Sequence, residues 1–118
     1  MFEANGTMIR ISRGDTGLLR IMPEPLRMGE NDRAVFTIAR RGGGILMEKI
    51  LKAEADGALL IPFTNDETED MPVGDYEWDI RIVLDAKLDA QGRPTDGREV
   101  ITPMRIGRLK IMKVVGEV

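Results

Sequence analysis

Cysteine and histidine are both missing from the 118 residues of this chain. Without Cys there is no disulfide framework, no thiolate metal site and no thiol nucleophile. Without His the commonest general base and the commonest zinc ligand are gone together. An enzyme built from this chain would have to work with carboxylates, Lys, Tyr or the chemistry of its substrate. Aromatic residues are scarce too, with one Trp, one Tyr and three Phe, so a core must rest on aliphatic side chains and the 8 Met. Neither sign of charge dominates: 17 basic and 20 acidic residues interleave, for a net charge of -3. No basic block follows a phosphate backbone, and no nucleic-acid partner is expected. No apolar run approaches the roughly 20 residues that cross a bilayer. Met1 to Gly6 has neither the basic nor the apolar region of an export signal. The expectation is a chain made in a cytoplasm, without membrane contact.

What is present is strand patterning. Tyr76, Trp78, Ile80, Ile82 and Leu84 alternate with Glu77, Asp79 and Arg81, which describes a half-buried β-strand holding the only Tyr and Trp. Further strands are expected over 7–12, 17–22, 33–40, 45–52, 58–63, 98–103 and 107–115, separated by Gly, Pro, Asn and Asp. In the 33–40 strand, Ala34, Phe36 and Ile38 share one face. The 45–52 segment is ambiguous, because apolar residues at 46, 47, 50 and 51 also suit a helix. Its short length between two turn signals favours a strand. Thr64 to Asp70 reads as a loop or a single helical turn, and Asp89 to Gly97 as a hairpin tip. A chain of this length makes one domain, 1–118, that buries roughly two-thirds of its unfolded surface. The expected fold is all-β, an antiparallel two-sheet sandwich of about seven or eight strands, with a small closed barrel as the alternative.

Chemistry-bearing patterns are weak. Asp66, Glu67, Glu69 and Asp70 offer oxygen ligands for Ca²⁺, but lack the spacing and turn glycine of an EF-hand loop, and read as a solvated segment. Arg13-Gly14-Asp15 spells an integrin-binding tripeptide, yet Gly-Asp is also what a tight turn uses. Glu77 and Asp79 point the same way from a strand, as a carboxylate pair for acid and base work would, and ion pairing with a neighbouring strand is the simpler reading. Gly42-Gly43-Gly44 lacks the Lys-Ser/Thr ending of a phosphate loop and reads as a turn. No catalytic, cofactor-binding or metal-ligating residue is singled out.

Arg13 to Thr16, Phe36-Thr37-Ile38, Gly57 to Phe63, Thr68 to Gly74 with Tyr76 to Ile80, and Ile101-Thr102-Pro103 with Gly107 to Ile111 occur in an order that resembles a small module of tailed phages and prophages of Gram-positive bacteria. This is the immunoglobulin-like (Ig-like) sandwich at the N-terminus of baseplate upper proteins. The resemblance spans nearly the whole chain. It implies a non-enzymatic virion component of tail or baseplate, made in a bacterial cytoplasm, with other virion proteins or copies of itself as partners. Baseplate upper proteins continue into a helical and receptor-binding region, whereas this sequence stops at Val118. The alternative is a small binding or adhesion module, for carbohydrate or protein, that uses loops such as Asp89 to Gly97.

Overall fold

The computed structural model describes residues 1–116. In chain order they form β1 (Phe2–Asn5), β2 (Met8–Ser12), β3 (Gly17–Ile21), β4 (Arg33–Arg40), β5 (Ile45–Leu51), β6 (Leu59–Phe63), α1 (Asn65–Glu69), β7 (Gly74–Leu84), β8 (Lys87–Leu88), β9 (Pro94–Asp96), β10 (Glu99–Ile101) and β11 (Gly107–Met112). Apart from one short helix, the described residues are all-β. Seven strands make the main sheet, ordered β1-β2-β11-β7-β4-β5, with β10 beside the C-terminal end of β7. The pairs β3–β6 and β8–β9 are separate.

The alternation of β7 explains its place at the centre. Tyr76, Trp78, Ile80, Ile82 and Leu84 are all buried, and the register sets Trp78 opposite Ile38, Ile80 opposite Phe36 and Ile82 opposite Ala34. From the other side β11 adds Leu109, opposite Tyr76, and β2 adds Ile9 and Ile11. The β3–β6 pair closes the core with Leu19, Leu59, Ile61 and Phe63. Phe36 meets the Phe63 ring edge-on at 5.9 Å and the Trp78 indole at 5.6 Å. Each large apolar side chain withdrawn in this way contributes about 1.5–3 kcal/mol.

Trp78 fits because a glycine faces it. A Cβ on Gly107 would lie 2.4 Å from the indole and 2.6 Å from the Thr7 carbonyl. The indole Nε1 donates to the Thr7 carbonyl at 3.0 Å and the Arg108 carbonyl at 3.2 Å, so its polar atom is satisfied inside the core.

Several expectations need correction. The main sheet is mixed: β2 runs parallel to β11, while β11 is antiparallel to β7. Side-chain alternation is the same in both directions, so the pattern carries no sign of strand polarity. There are eleven strands among the described residues, not seven or eight. The additional ones, β1, β8 and β9, are two to four residues long and mostly exposed, so burial imposes no pattern on them. Among the described residues no sheet is closed, which sets the barrel aside. The last strand ends at Met112, and Val115 is fully exposed.

Candidate functional site on the outer face of the main sheet

The faces of the main sheet away from the core differ between its two halves. On the β1–β2–β11 side the outward residues form charged rows: Glu3 lies opposite Arg10, Arg10 opposite Lys110, and Lys110 opposite Asp75. On the β7–β4–β5 side they are mixed, with Val35, Ala39, Ile45, Val83 and Val100 beside Thr37, Glu48, Asp79 and Arg81. These residues floor a groove of about 590 Å³, walled by Arg93 to Gly97 of the β8–β9 hairpin. Ile45 and Ile106 are each 63% exposed, Val100 49%. Apolar exposure on one side of a sheet marks a contact surface where it forms a contiguous patch.

Strand β5 borders this groove and forms one edge of the sheet. Five of its seven residues, Ile45, Leu46, Met47, Ile50 and Leu51, are apolar, and none is fully buried. Its helix-like spacing therefore reflects a strand with apolar residues on both faces. A bulge at Leu46 follows the turn of Gly42 to Gly44, where Arg40 and Gly44 pair and Gly42 takes φ of 66°.

On the core side of β5, Lys49 stands between Met47 and Leu51. Its ammonium donates to Glu67 Oε1 at 2.7 Å and to the Pro62 carbonyl, and lies 5.9 Å from the centre of the Phe63 ring. Pro62 directs that carbonyl toward β5 and has no N–H to offer, so the open edge of β6 is blunted by a proline and an inward lysine. Burial by itself pushes the Glu67 carboxyl up. Lys49 and the Thr64 N–H outweigh it, and Glu67 lies below the usual carboxylate range.

The residues singled out in the sequence are dispersed. Asp66, Glu67, Glu69 and Asp70 belong to α1 and its C-terminal cap, where Thr64 and Glu67 form a capping box. Among the described residues no group of three or more carboxylates gathers to hold a metal ion. Arg13-Gly14-Asp15 is a turn: Gly14 takes φ of 87°, Asp15 N donates to Ser12 O at 2.9 Å, and Arg13 Nε is spent on the Glu69 carbonyl. Glu77 lies 3.9 Å from Arg41. Asp79 and Arg81, on the groove floor, have no ion-pair partner among the described residues. The expected cross-strand pairing of Asp79 therefore fails, because Thr37 is its neighbour on β4. Asp89 to Gly97 folds back over the outer face, and Arg93 Nη1 reaches Glu48 Oε2 at 2.5 Å.

The groove itself was not legible in the sequence. Its floor comes from four strands, and its wall from a segment whose polarity resembles that of any loop. Compared with protein-family models, curated proteins and solved structures, the chain matches none. No helix among the described residues is long and apolar enough to cross a membrane.

Proposed function

We propose that this protein is a non-enzymatic structural component of a phage or prophage virion, of tail or baseplate, acting through protein–protein contacts made by the β7–β4–β5 half of its outer face and the β5 edge. The observation that carries the reading is the set of exposed apolar side chains on that face, Val100, Ile106 and, on the edge strand β5, Ile45 and Leu46. Sheet edges and flat apolar faces are how strand-built modules dock to one another.

The finer fold assignment is an Ig-like sandwich. Its support is the strand order: β4, β7 and β11 correspond to the C, F and G strands, β5 to the added C′ strand, and β3 with β6 to B and E. Tyr76, near the start of β7, donates its hydroxyl to the Pro72 carbonyl at 2.5 Å, as the tyrosine corner of such folds does. Two features depart from the pattern: β1 and β2 lie on the β11 edge, and β8 to β10 interrupt the connection from β7 to β11.

A carbohydrate-binding module is the weaker reading. Trp78 and Tyr76 are buried and provide no platform for a sugar. Light scattering over a concentration series tests self-assembly, with a discrete oligomer expected and its loss in Ile45→Lys. A strict monomer refutes self-assembly. The virion role is tested by the neighbouring genes: terminase, capsid, tail-tube or tape-measure genes are expected, and an unrelated metabolic cluster refutes it.

A further inference from the structure

Asn or Asp precedes glycine at three places, Asn5-Gly6, Asp56-Gly57 and Asp96-Gly97. In such a pair the glycine nitrogen is positioned to attack the side-chain carbonyl carbon before it, since no Cβ crowds the approach. Asn5 ends β1 opposite Met8, so Gly6 and Thr7 form a two-residue turn. Gly6 takes φ of 61° and Thr7 a negative φ, the pattern of a type II′ turn with glycine first. Both Asn5 and Gly6 are exposed, and the Gly6 N–H has no acceptor among the described residues. A Cβ built on Gly6 would meet nothing within 4 Å, which leaves room for a ring.

The comparable sites are held. Gly57 N donates to the Glu54 carbonyl at 2.8 Å, and the Asp56 carboxylate accepts from Arg20 and Ala58 N. Gly97 is wedged against Val83, and Asp96 has no amide to lose. Asn31 precedes Asp32, whose N–H is committed to the Gly29 carbonyl, and the Asn65 amide donates to the Gly14 carbonyl.

We propose that Asn5 is a site of spontaneous modification to isoaspartate, and that this change releases β1 from β2. Fraying at the end of the edge hairpin lets the Asn5 backbone rotate into the reactive geometry. The Gly6 nitrogen then gives up its proton and bonds to Asn5 Cγ. The Cγ–Nδ2 bond breaks, and ammonia leaves with that proton, giving a cyclic imide. Water opens the imide at either carbonyl. Opening at Cγ leaves an ordinary aspartate; opening at the backbone carbonyl leaves isoaspartate, whose main chain runs through Cβ and is one carbon longer. The β2 side of the turn cannot yield, because the Thr7 carbonyl accepts from Trp78 Nε1 at 3.0 Å and Arg108 N at 3.1 Å. The added carbon therefore shifts β1. Its Phe2 ring occupies the space over Gly17, where a Cβ would lie 2.3 Å from it, and stands 5.8 Å from the Phe63 ring. A slipped β1 takes this cover off the core.

The test incubates the full chain in heavy-oxygen water near neutral pH, then maps its peptides by mass spectrometry with electron-transfer fragmentation, which separates aspartate from isoaspartate. Heavy oxygen is expected at position 5, with isoaspartate in excess and Asn31 and Asn65 unchanged, at a rate that rises with pH. An Asn5 that stays intact in the folded chain but converts in guanidinium overturns the site, as does equal conversion of all three asparagines. The aged chain is separated by its added negative charge. Its isoaspartate form is expected to show faster amide exchange along β1 and a melting temperature about 4–8 °C lower, the scale of one lost aromatic contact in a domain of this size. Asn5→Asp gains the charge without the longer backbone and is expected to keep native exchange. Native exchange in the isoaspartate form, or equal loosening in Asn5→Asp, overturns the release of β1.

Discussion

Replacing Lys49 with Met is the sharpest test of how the β5–β6 corner is held. The substitution keeps an unbranched stem against Phe63, with sulfur in place of Cδ, and removes the ammonium. The Pro62 carbonyl and Glu67 Oε1 then lose their shared donor. Hydrogen bonds to charged groups are worth about 1.5–3 kcal/mol. Glu67 is 28% exposed, so water recovers part of that loss. The expected cost is about 2 kcal/mol, or roughly 8 °C in melting temperature for a domain of this size.

The pH dependence gives an independent check. Folding lowers the Glu67 pKa below its ordinary value of 4.5, so the stability it adds is present above 4.5 and is lost as pH falls through the folded value. Lys49→Met has little of that contribution to lose. The two stability curves, measured by urea unfolding, should therefore draw together as pH falls from 4.5 through the folded value, leaving the share of the Lys49 bond to the Pro62 carbonyl, which does not titrate there. A cost under about 0.5 kcal/mol at neutral pH would mean the pair behaves as a solvated surface ion pair. A gap that stays constant into acid would refute the role given to Glu67.

Gly107→Ala is expected to cost about 2–3 kcal/mol by overpacking, because its Cβ would meet the Trp78 indole and the Thr7 carbonyl. Chemical denaturation measures it, and a neutral result would mean the indole can shift freely. Tyr76→Phe should cost about 1 kcal/mol through the lost bond to Pro72, with the fold unchanged by circular dichroism. No change in midpoint would remove the corner as a stabilising feature. Thr64→Ala should cost about 1 kcal/mol by removing the N-cap of α1. In the native protein Trp78, 2% exposed, should emit at short wavelength and resist iodide. Ready quenching would contradict its burial.

Much of the core was legible because burial imposes a period on long strands. The 76–84 alternation and the 34–36–38 face both appear in the structure as read. Thr64 to Asp70 was open between loop and helical turn, and its capping residues decided for the helix. Strand β5 forms as expected, but its sequence also suited a helix because both of its faces meet apolar surroundings in part, so neither a period of two nor one of 3.6 stands out. Lys49 went unnoticed for a related reason. A charged residue normally marks the solvent face, and only the carbonyl of Pro62 and the carboxylate of Glu67, 13 and 18 residues away, make an inward lysine tolerable.

By itself, then, the sequence determined which residues withdraw from water and that they do so on strands, since that choice depends on local alternation and on turn residues between the runs. Strand direction, the parallel meeting of β2 with β11, the pairing of Lys49 with Glu67, and the groove under the β8–β9 hairpin were decided only in the tertiary structure. Each of these depends on residues distant in the chain coming into register, and a local pattern carries no term for that.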